Sequence, residues 1–258
     1  GNLVLPDPDY GPPPLPPGFP RWKYFGYDGW LMTIPVDWDL GALEVNPRGG
    51  YFRLDDEFEP RLMVRWQPVK GTFDPEKAIE RHFRKRLKAA EAEGNRLEPR
   101  VGAPLPGLRK AMHGLEYKTY ALHDGDRRSV GLAAHCPQCD RAFIVEMNTT
   151  AEGGAGERLI RRVLGSLNDH SEDSLTRWEF FGLSLDLPST MRAVSTTFNQ
   201  GFVGFAAAEH ALRVDVARWS LANVHLASTD LKSFLTRYFL KKRNMPHVSI
   251  EDAVVQSH

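Results

Sequence analysis

The chain contains one pattern of residues twice, and the second occurrence ends early. Residues 21–67 and 177–220 share landmarks in the same order. The paired landmarks are Arg21-Trp22 with Arg177-Trp178, Phe25-Gly26 with Phe181-Gly182, Ile34-Pro35 with Leu187-Pro188, Gly50-Tyr51 with Gly201-Phe202, and Arg65-Trp66 with Arg218-Trp219. Their separation stays between 151 and 156 residues, whereas solenoid repeats recur every ~20–50 residues. The pattern therefore predicts a duplicated domain.

Composition narrows the functional classes. The 33 basic and 33 acidic residues give no net charge, so no global field attracts nucleic acid. No apolar run approaches the ~20 residues of a membrane span, and no secretory signal is visible at the start. With only two cysteines, the chain is not a disulfide-rich secreted scaffold. We predict a cytoplasmic protein that binds no nucleic acid and has no membrane span.

Three regions follow from these patterns. Residues 1–20 form a proline-rich arm, because eight prolines in residues 5–20 restrict the backbone and remove hydrogen-bond donors. Residues 21–172 form a complete domain of five strands, a helix, three strands and a helix. That prediction rests on period-two alternation, such as Trp30, Met32 and Ile34, and on the helix start at Asp74-Pro75. Residues 173–258 form a partial second copy.

The second copy lacks the part that corresponds to the last three strands and the last helix of the first copy. Unpaired strands expose backbone N–H and C=O groups, so natural proteins pair or cover them. Three explanations are open: further sequence after His258, strands supplied by another copy of the chain, or packing of the half-domain on the first domain. Self-association is one of the partner predictions for this reason.

The predicted fold class is α+β, with an antiparallel sheet covered by helices. The segments FGYDGWLMTIPVDW, EYKTYALHDGDRRSVGLAAHC and RLIRRVLGSL resemble the PsbP-like superfamily of photosystem II extrinsic proteins and Ran-binding import factors. This resemblance implies a PsbP-like sandwich, here one complete copy followed by a partial one. It also implies a non-enzymatic role in assembly. The family's metal and partner sites do not transfer, because no specific ligand motif matches.

The sharpest local motif is HCPQCD, residues 135–140, between two predicted strands. Cys-Pro-X-Cys on a hairpin resembles the knuckle of rubredoxin-like and zinc-ribbon sites, in which turn amides point at the sulfurs. A structural zinc site needs four ligands, and Cys136 and Cys139 supply two. The others could be His135, His113 or His123, or ligands from another chain. Zinc is the only cofactor that the sequence indicates.

Two other interpretations of the motif remain open. The cysteines could form a reversible disulfide, although thioredoxin-type activation places the pair at a helix N-terminus, and here a strand is predicted to follow. They could also be part of a purely structural hairpin, with neither a metal nor a redox function.

Weaker candidates are interpreted as ordinary surface features. They are the acidic turn Asp55, Asp56, Glu57 and Glu59, the basic helix face Arg81, Arg84, Lys85, Arg86 and Lys88, and the loop Gly153-Gly154-Ala155-Gly156. No HExxH or GxSxG motif occurs.

The leading functional prediction is a non-enzymatic binding or assembly protein with a protein partner or self-association. The first alternative is a zinc-binding protein with a CPQC knuckle. The second is an enzyme of unknown class with a site between the two copies.

Overall fold

A computed structural model describes residues 21–46, 49–69, 71–94, 97–105, 107–124, 127–149 and 154–241. The predicted proline-rich arm, Gly125 in a predicted turn, and Gly153 in the glycine-rich loop lie outside the described residues.

The first copy contains nine named strands and three helices. The strands are β1 (Trp22–Tyr27), β2 (Trp30–Pro35), β3 (Asp39–Asn46), β4 (Gly49–Asp55), β5 (Pro60–Pro68), β6 (Arg100–Val101), β7 (Glu116–Asp124), β8 (Arg127–Cys136) and β9 (Arg141–Thr149). The helices are α1 (Pro75–Ala92), α2 (Leu108–Ala111) and α3 (Gly154–Gly165). The predicted five strands, helix, three strands and helix are all present in that order. The short strand β6 and helix α2 are additional, and α2 replaces the predicted start of a strand at Lys110.

The second copy contains five strands followed by short helical segments. These are β10 (Leu175–Phe180), β11 (Leu183–Pro188), β12 (Arg192–Asn199), β13 (Phe202–Glu209), β14 (Leu212–Trp219), α4 (Ala222–His225), α5 (Leu231–Leu235) and a π-helical segment, Thr236–Lys241. The predicted cap at Asp230 is present. The predicted helix follows it and continues from α5 into the π-helical segment as far as Lys241. Its predicted stripe is present only in part, because Leu235 and Tyr238 are half-buried and Leu231 is exposed.

The predicted fold class, a sheet covered by helices in a PsbP-like sandwich, is wrong. Strands account for 50% of the structure and helices for 22%, and the strands form three antiparallel sheets. The sheets have the orders β11-β10-β1-β2, β12-β13-β14 and β3-β4-β5-β9-β8-β7-β6. The prediction failed because the opening hairpin does not extend the large sheet. It forms a separate sheet with the equivalent hairpin of the second copy.

The four-stranded and seven-stranded sheets pack face to face through aromatic side chains. The Trp30 ring centroid lies 5.0 Å from that of Phe143 and 5.6 Å from that of Trp66, and Phe25 lies 4.9 Å from Phe52. All five side chains are buried. Aromatic pairs at these separations contribute ~0.5–1.5 kcal/mol each beyond the burial of apolar area. A second sheet therefore covers this face, where the prediction placed a helix.

Helix α1 packs on another part of the seven-stranded sheet. The Asp74 carboxylate accepts hydrogen bonds from the backbone N–H groups of Glu76 and Lys77, and Pro75 occupies the first turn, as predicted. Ile79 and Phe83 are fully buried against the sheet residues Tyr120, Leu122 and Ala133. Capping and the apolar stripe together fix the position of this helix.

The two short hairpins share a turn geometry that identifies equivalent residues. Asp28 and Gly29 join β1 to β2 with φ of 51° and 92°, and Phe181 and Gly182 join β10 to β11 with φ of 49° and 70°. Two consecutive positive φ values are typical of the type I′ turn. Gly29 therefore occupies the place of Gly182, although the linear alignment pairs Gly182 with Gly26.

The described part of the chain divides into two compact units, residues 21–195 with 206–214, and residues 196–205 with 215–241. Within the second unit, three aromatic side chains cluster around Trp219, whose ring centroid lies 4.8–5.3 Å from those of Tyr238, Phe234 and Phe202. The domain boundaries inferred from the sequence stay predictions. No helix among the described residues has both the length and the apolar character of a membrane span.

Candidate metal centre

The CPQC motif forms the turn of the β8–β9 hairpin. Strand β8 ends at Cys136 and β9 begins at Arg141, and the two residues are paired across the hairpin. The backbone N–H groups of Gln138 and Cys139 donate hydrogen bonds to Cys136 Sγ. Asp140 closes the turn with a φ of 52°. The turn amides thus point at the first sulfur, the arrangement that the sequence motif predicted.

The segment after α3 brings two further ligand-type side chains to this hairpin. Asn168 and Leu31 exchange two backbone hydrogen bonds, of 2.9 and 2.8 Å, which fix the segment against β2. The next residues, Asp169 and His170, then lie beside the cysteines. Asp169 is buried and His170 is half-buried.

The four side chains form a compact cluster of potential metal ligands. Cys136 Sγ lies 3.6 Å from His170 Nδ1, and Cys139 Sγ lies 3.2 Å from Asp169 Oδ2. His170 Nδ1 lies 3.1 Å from Asp169 Oδ1. One ligand atom from each residue lies within 4.8 Å of all the others. The cluster therefore offers two sulfurs, one nitrogen and one oxygen around a common centre.

These separations are close to those of a tetrahedral zinc site. With Zn–S of ~2.3 Å, and Zn–N and Zn–O of ~2.0–2.2 Å, tetrahedral angles give ligand–ligand distances of ~3.3–3.8 Å. Three contacts within the cluster, of 3.1–3.6 Å, are at the short end of this range or below it, and the ligand atoms all lie within 4.8 Å of one another. Small shifts of the side chains, outward for the closest atoms and inward for the wider-spaced ones, would accommodate the ion. The residues present therefore fit Zn²⁺.

A neighbouring hydrogen bond orients the imidazole for metal binding. His170 Nε2 lies 2.9 Å from Gln138 Oε1, an acceptor within the CPQC turn itself. A neutral imidazole that donates from Nε2 presents a lone pair at Nδ1, the atom that faces Cys136 and Asp169. Metal-ligating histidines commonly donate their other N–H group in this way. Gln138 Oε1 is thus placed to accept the Nε2–H hydrogen bond of an imidazole that binds a metal through Nδ1.

The charges around the cluster favour a cation at its centre. Burial and the negative charge of Asp169 raise the pKa of the Cys139 thiol, and burial likewise raises the pKa of Cys136. Reactive redox cysteines have lowered pKa values, so the microenvironment does not fit the redox interpretation. Both cysteines are free thiols. A divalent ion would offset the repulsion among two thiolates and a carboxylate.

Two arginines lie near the cluster, on the side of the β1–β2 turn. Arg141 NH1 lies 3.4 Å from the backbone oxygen of Asp169, and Arg141 NH2 lies 3.2 Å from Asp28 Oδ2. Arg192 interacts electrostatically with Cys139 and Asp28. A Zn²⁺ ion with two thiolates and one carboxylate retains one net negative charge, and these guanidinium groups compensate it.

The histidines considered from the sequence lie outside the cluster. His135 precedes Cys136 in β8, so its side chain points to the opposite face of the strand. There His135 Nε2 lies 3.2 Å from Asp140 Oδ1. His113 and His123 are exposed, and neither belongs to the group of potential ligands.

Sequence analysis missed Asp169 and His170, which are 30 and 31 positions after Cys139. An Asp-His pair directly after a predicted helix was the available signal. It became informative only when the fold placed that segment next to the hairpin.

The acidic turn is neutralised by its own neighbours. Asp56 accepts hydrogen bonds from the backbone N–H groups of Phe58 and Glu59 and from the Arg61 side chain. Asp55 pairs with Arg53 at 2.7 Å. The two aspartate carboxylates therefore have partners within the protein and need no bound cation.

No protein-family model matches the chain, and no curated protein is similar to it at a significant level. The resemblance to the PsbP-like superfamily therefore stays a prediction.

Proposed function

We propose that this chain is a zinc-stabilised, non-enzymatic binding protein in which Cys136, Cys139, Asp169 and His170 hold one Zn²⁺ ion. The observation that carries the proposal is the convergence of four ligand atoms, from two segments distant in sequence, within 4.8 Å of one another. Two residues of the set come from a hairpin turn, and the other two come from the segment that leads into the second copy.

A structural role fits this ligand set better than a catalytic one. Catalytic zinc usually has three protein ligands and an open position for water or substrate, whereas structural zinc has four protein ligands. Four protein side chains converge here, and Cys136 and Asp169 are buried. The ion would fasten the β8–β9 hairpin to the segment between α3 and β10, and so join the first copy to the start of the second.

Elemental analysis tests the proposal. Protein expressed with zinc and purified under reducing conditions without a chelator should contain about one zinc per chain. The variants Cys139→Ser and His170→Ala should retain less than ~0.2 zinc per chain, because three ligands hold the metal far more weakly than four. His135→Ala is the matched control and should retain the wild-type zinc content. Equal zinc content in all four proteins, or none in the wild type, would contradict the proposal.

A further inference from the structure

A groove beside α1 has the features of a second binding site. It has a volume of about 840 Å³ and lies between the first half of α1 and strands β5 and β9. Pockets of ~300–1,000 Å³ are typical of small-molecule sites. We name this feature the basic groove, because its exposed lining includes Arg65, Lys77, Arg81 and Lys85. None of its lining residues belongs to the metal cluster.

The cations of the basic groove are arranged on two sides. Lys77, Arg81 and Lys85 recur every four residues and therefore lie along one face of α1. Arg65 comes from β5 and stacks on Tyr51, with its guanidinium carbon 5.2 Å from the ring centroid. Like charges at this helical spacing repel one another. An anion between the two sides would relieve that repulsion.

The carboxylates near the groove do not cancel this charge. Among the lining residues that the structure describes, Asp74 is the one acidic residue, and it caps α1 and pairs with Lys77 at 3.4 Å. Within the described ranges, no carboxylate forms an ion pair with Arg65, Arg81 or Lys85. The chain as a whole has no net charge, so the excess of positive charge is local.

The interior of the groove combines an apolar wall with a fixed polar floor. Phe73, Ala78 and Ile144 are half-buried and line the groove. His82 also lines it and is held in place by Glu146, with a distance of 2.8 Å from Nε2 to Oε2. Apolar surface and exposed cations together suit a ligand with both an apolar body and an anionic group.

We infer that the basic groove binds a small amphipathic anion, with the apolar body against Phe73 and Ile144 and the anionic group between Arg65 and Arg81. Carboxylate and phosphate are the anionic groups that arginine recognises with paired hydrogen bonds. The inference goes beyond the proposed zinc site and does not depend on it.

Calorimetric titration with decanoate and decyl phosphate tests the inference, and decyltrimethylammonium serves as the cationic control. The wild type should bind at least one of the two anions saturably, one per chain, and should not bind the cation. The Arg81→Glu/Lys85→Glu variant should bind that anion at least ~10-fold more weakly. The anion that binds more tightly identifies the preferred group.

A matched double variant controls for general charge effects. Arg84→Glu/Lys88→Glu makes the same charge change on exposed positions of α1 that do not line the groove, and should bind within about twofold of the wild type. Arg65→Glu, on the opposite wall, gives an independent test should the first variant not fold. No saturable binding of either anion, binding of the cation, or equal losses in the two double variants would overturn the inference. Zinc content, measured on the same samples, reports separately on the metal site.

Discussion

Arg141 NH2 lies 3.2 Å from Asp28 Oδ2, and both side chains are buried. The same guanidinium donates to the backbone oxygens of Asp28 and Asp169. The other carboxylate oxygen of Asp28 accepts a hydrogen bond from the backbone N–H of Ala193. This buried ion pair thus joins β9, the β1–β2 turn, the segment that carries Asp169, and β12.

Arg141→Met should destabilise the protein by about 3–5 kcal/mol, because it leaves the Asp28 carboxylate buried without its partner. Urea unfolding measures this change. The double variant Asp28→Asn/Arg141→Met should recover part of the loss, since it removes the uncompensated charge as well. A single-variant loss below ~1 kcal/mol would show that the pair does not hold these segments together.

Zinc should stabilise the native state by mass action. At free Zn²⁺ 100-fold above Kd, the free energy of unfolding should rise by about 2.7 kcal/mol relative to chelator-treated protein. Cys139→Ser should show the same stability with and without the metal. A wild-type protein whose melting temperature is unchanged by chelator would contradict a stabilising role.

Glu146 should make stability dependent on acid pH. Burial alone would raise its pKa, but hydrogen bonds and charges from His82 and Arg86 together hold the pKa below its ordinary value. A carboxyl group whose pKa is lowered by folding contributes stability above its unfolded pKa of ~4.3. That contribution is lost as the pH falls through the lower folded value.

Glu146→Gln should therefore be less stable than the wild type at pH 7, and the difference should shrink as the pH falls from ~5 to ~3. Glu80→Gln, at an exposed position of α1, is the control and should follow the wild type. If the stability difference between Glu146→Gln and the wild type stays constant across this pH range, protonation of Glu146 is not linked to unfolding.

Gly26→Ala tests the sheet that joins the two copies. Gly26 is the partner of Glu179 in the β1–β10 pairing, and a Cβ at this position would lie 2.3 Å from the Arg177 backbone oxygen. The clash should cost about 2–4 kcal/mol of stability, measured by thermal unfolding. Gly154→Ala at the start of α3 is the control, because a Cβ there meets only the flexible end of Arg158, at 3.1 Å. Equal effects at the two positions would argue against close β1–β10 pairing.

Local features of the fold were predictable because short-range physics determines them. Asp74-Pro75 predicted the start of α1, and the CPQC motif predicted a hairpin turn with amides directed at sulfur. These patterns depend on residues a few positions apart. The alternation of Leu62, Val64 and Trp66 likewise predicted a strand with one buried face, and all three side chains are buried in β5.

Long-range pairing was not predictable in the same way. The opening hairpin has the same alternation whether it extends the large sheet or pairs with β10, so the pattern could not choose between the two arrangements. The candidate metal ligands show the same limit, because long-range contacts, among them the backbone pairing of Asn168 with Leu31 and the Arg141 hydrogen bond to Asp169, bring Asp169 and His170 to the cysteines. The stripe of the second-copy helix was predicted only in part, because apolar spacing predicts a helical face without showing what would bury it. Leu235 is half-buried, whereas Leu231 is exposed.

X-ray absorption at the zinc edge tests the central claim most directly, because it reports the identity and distance of the atoms bound to the metal. For the zinc-loaded wild type, the account predicts two sulfur atoms at ~2.3 Å and two nitrogen or oxygen atoms at ~2.0–2.2 Å. Four sulfur atoms would show instead that two chains share the ion through their CPQC hairpins. A shell of nitrogen and oxygen without sulfur would contradict the site altogether.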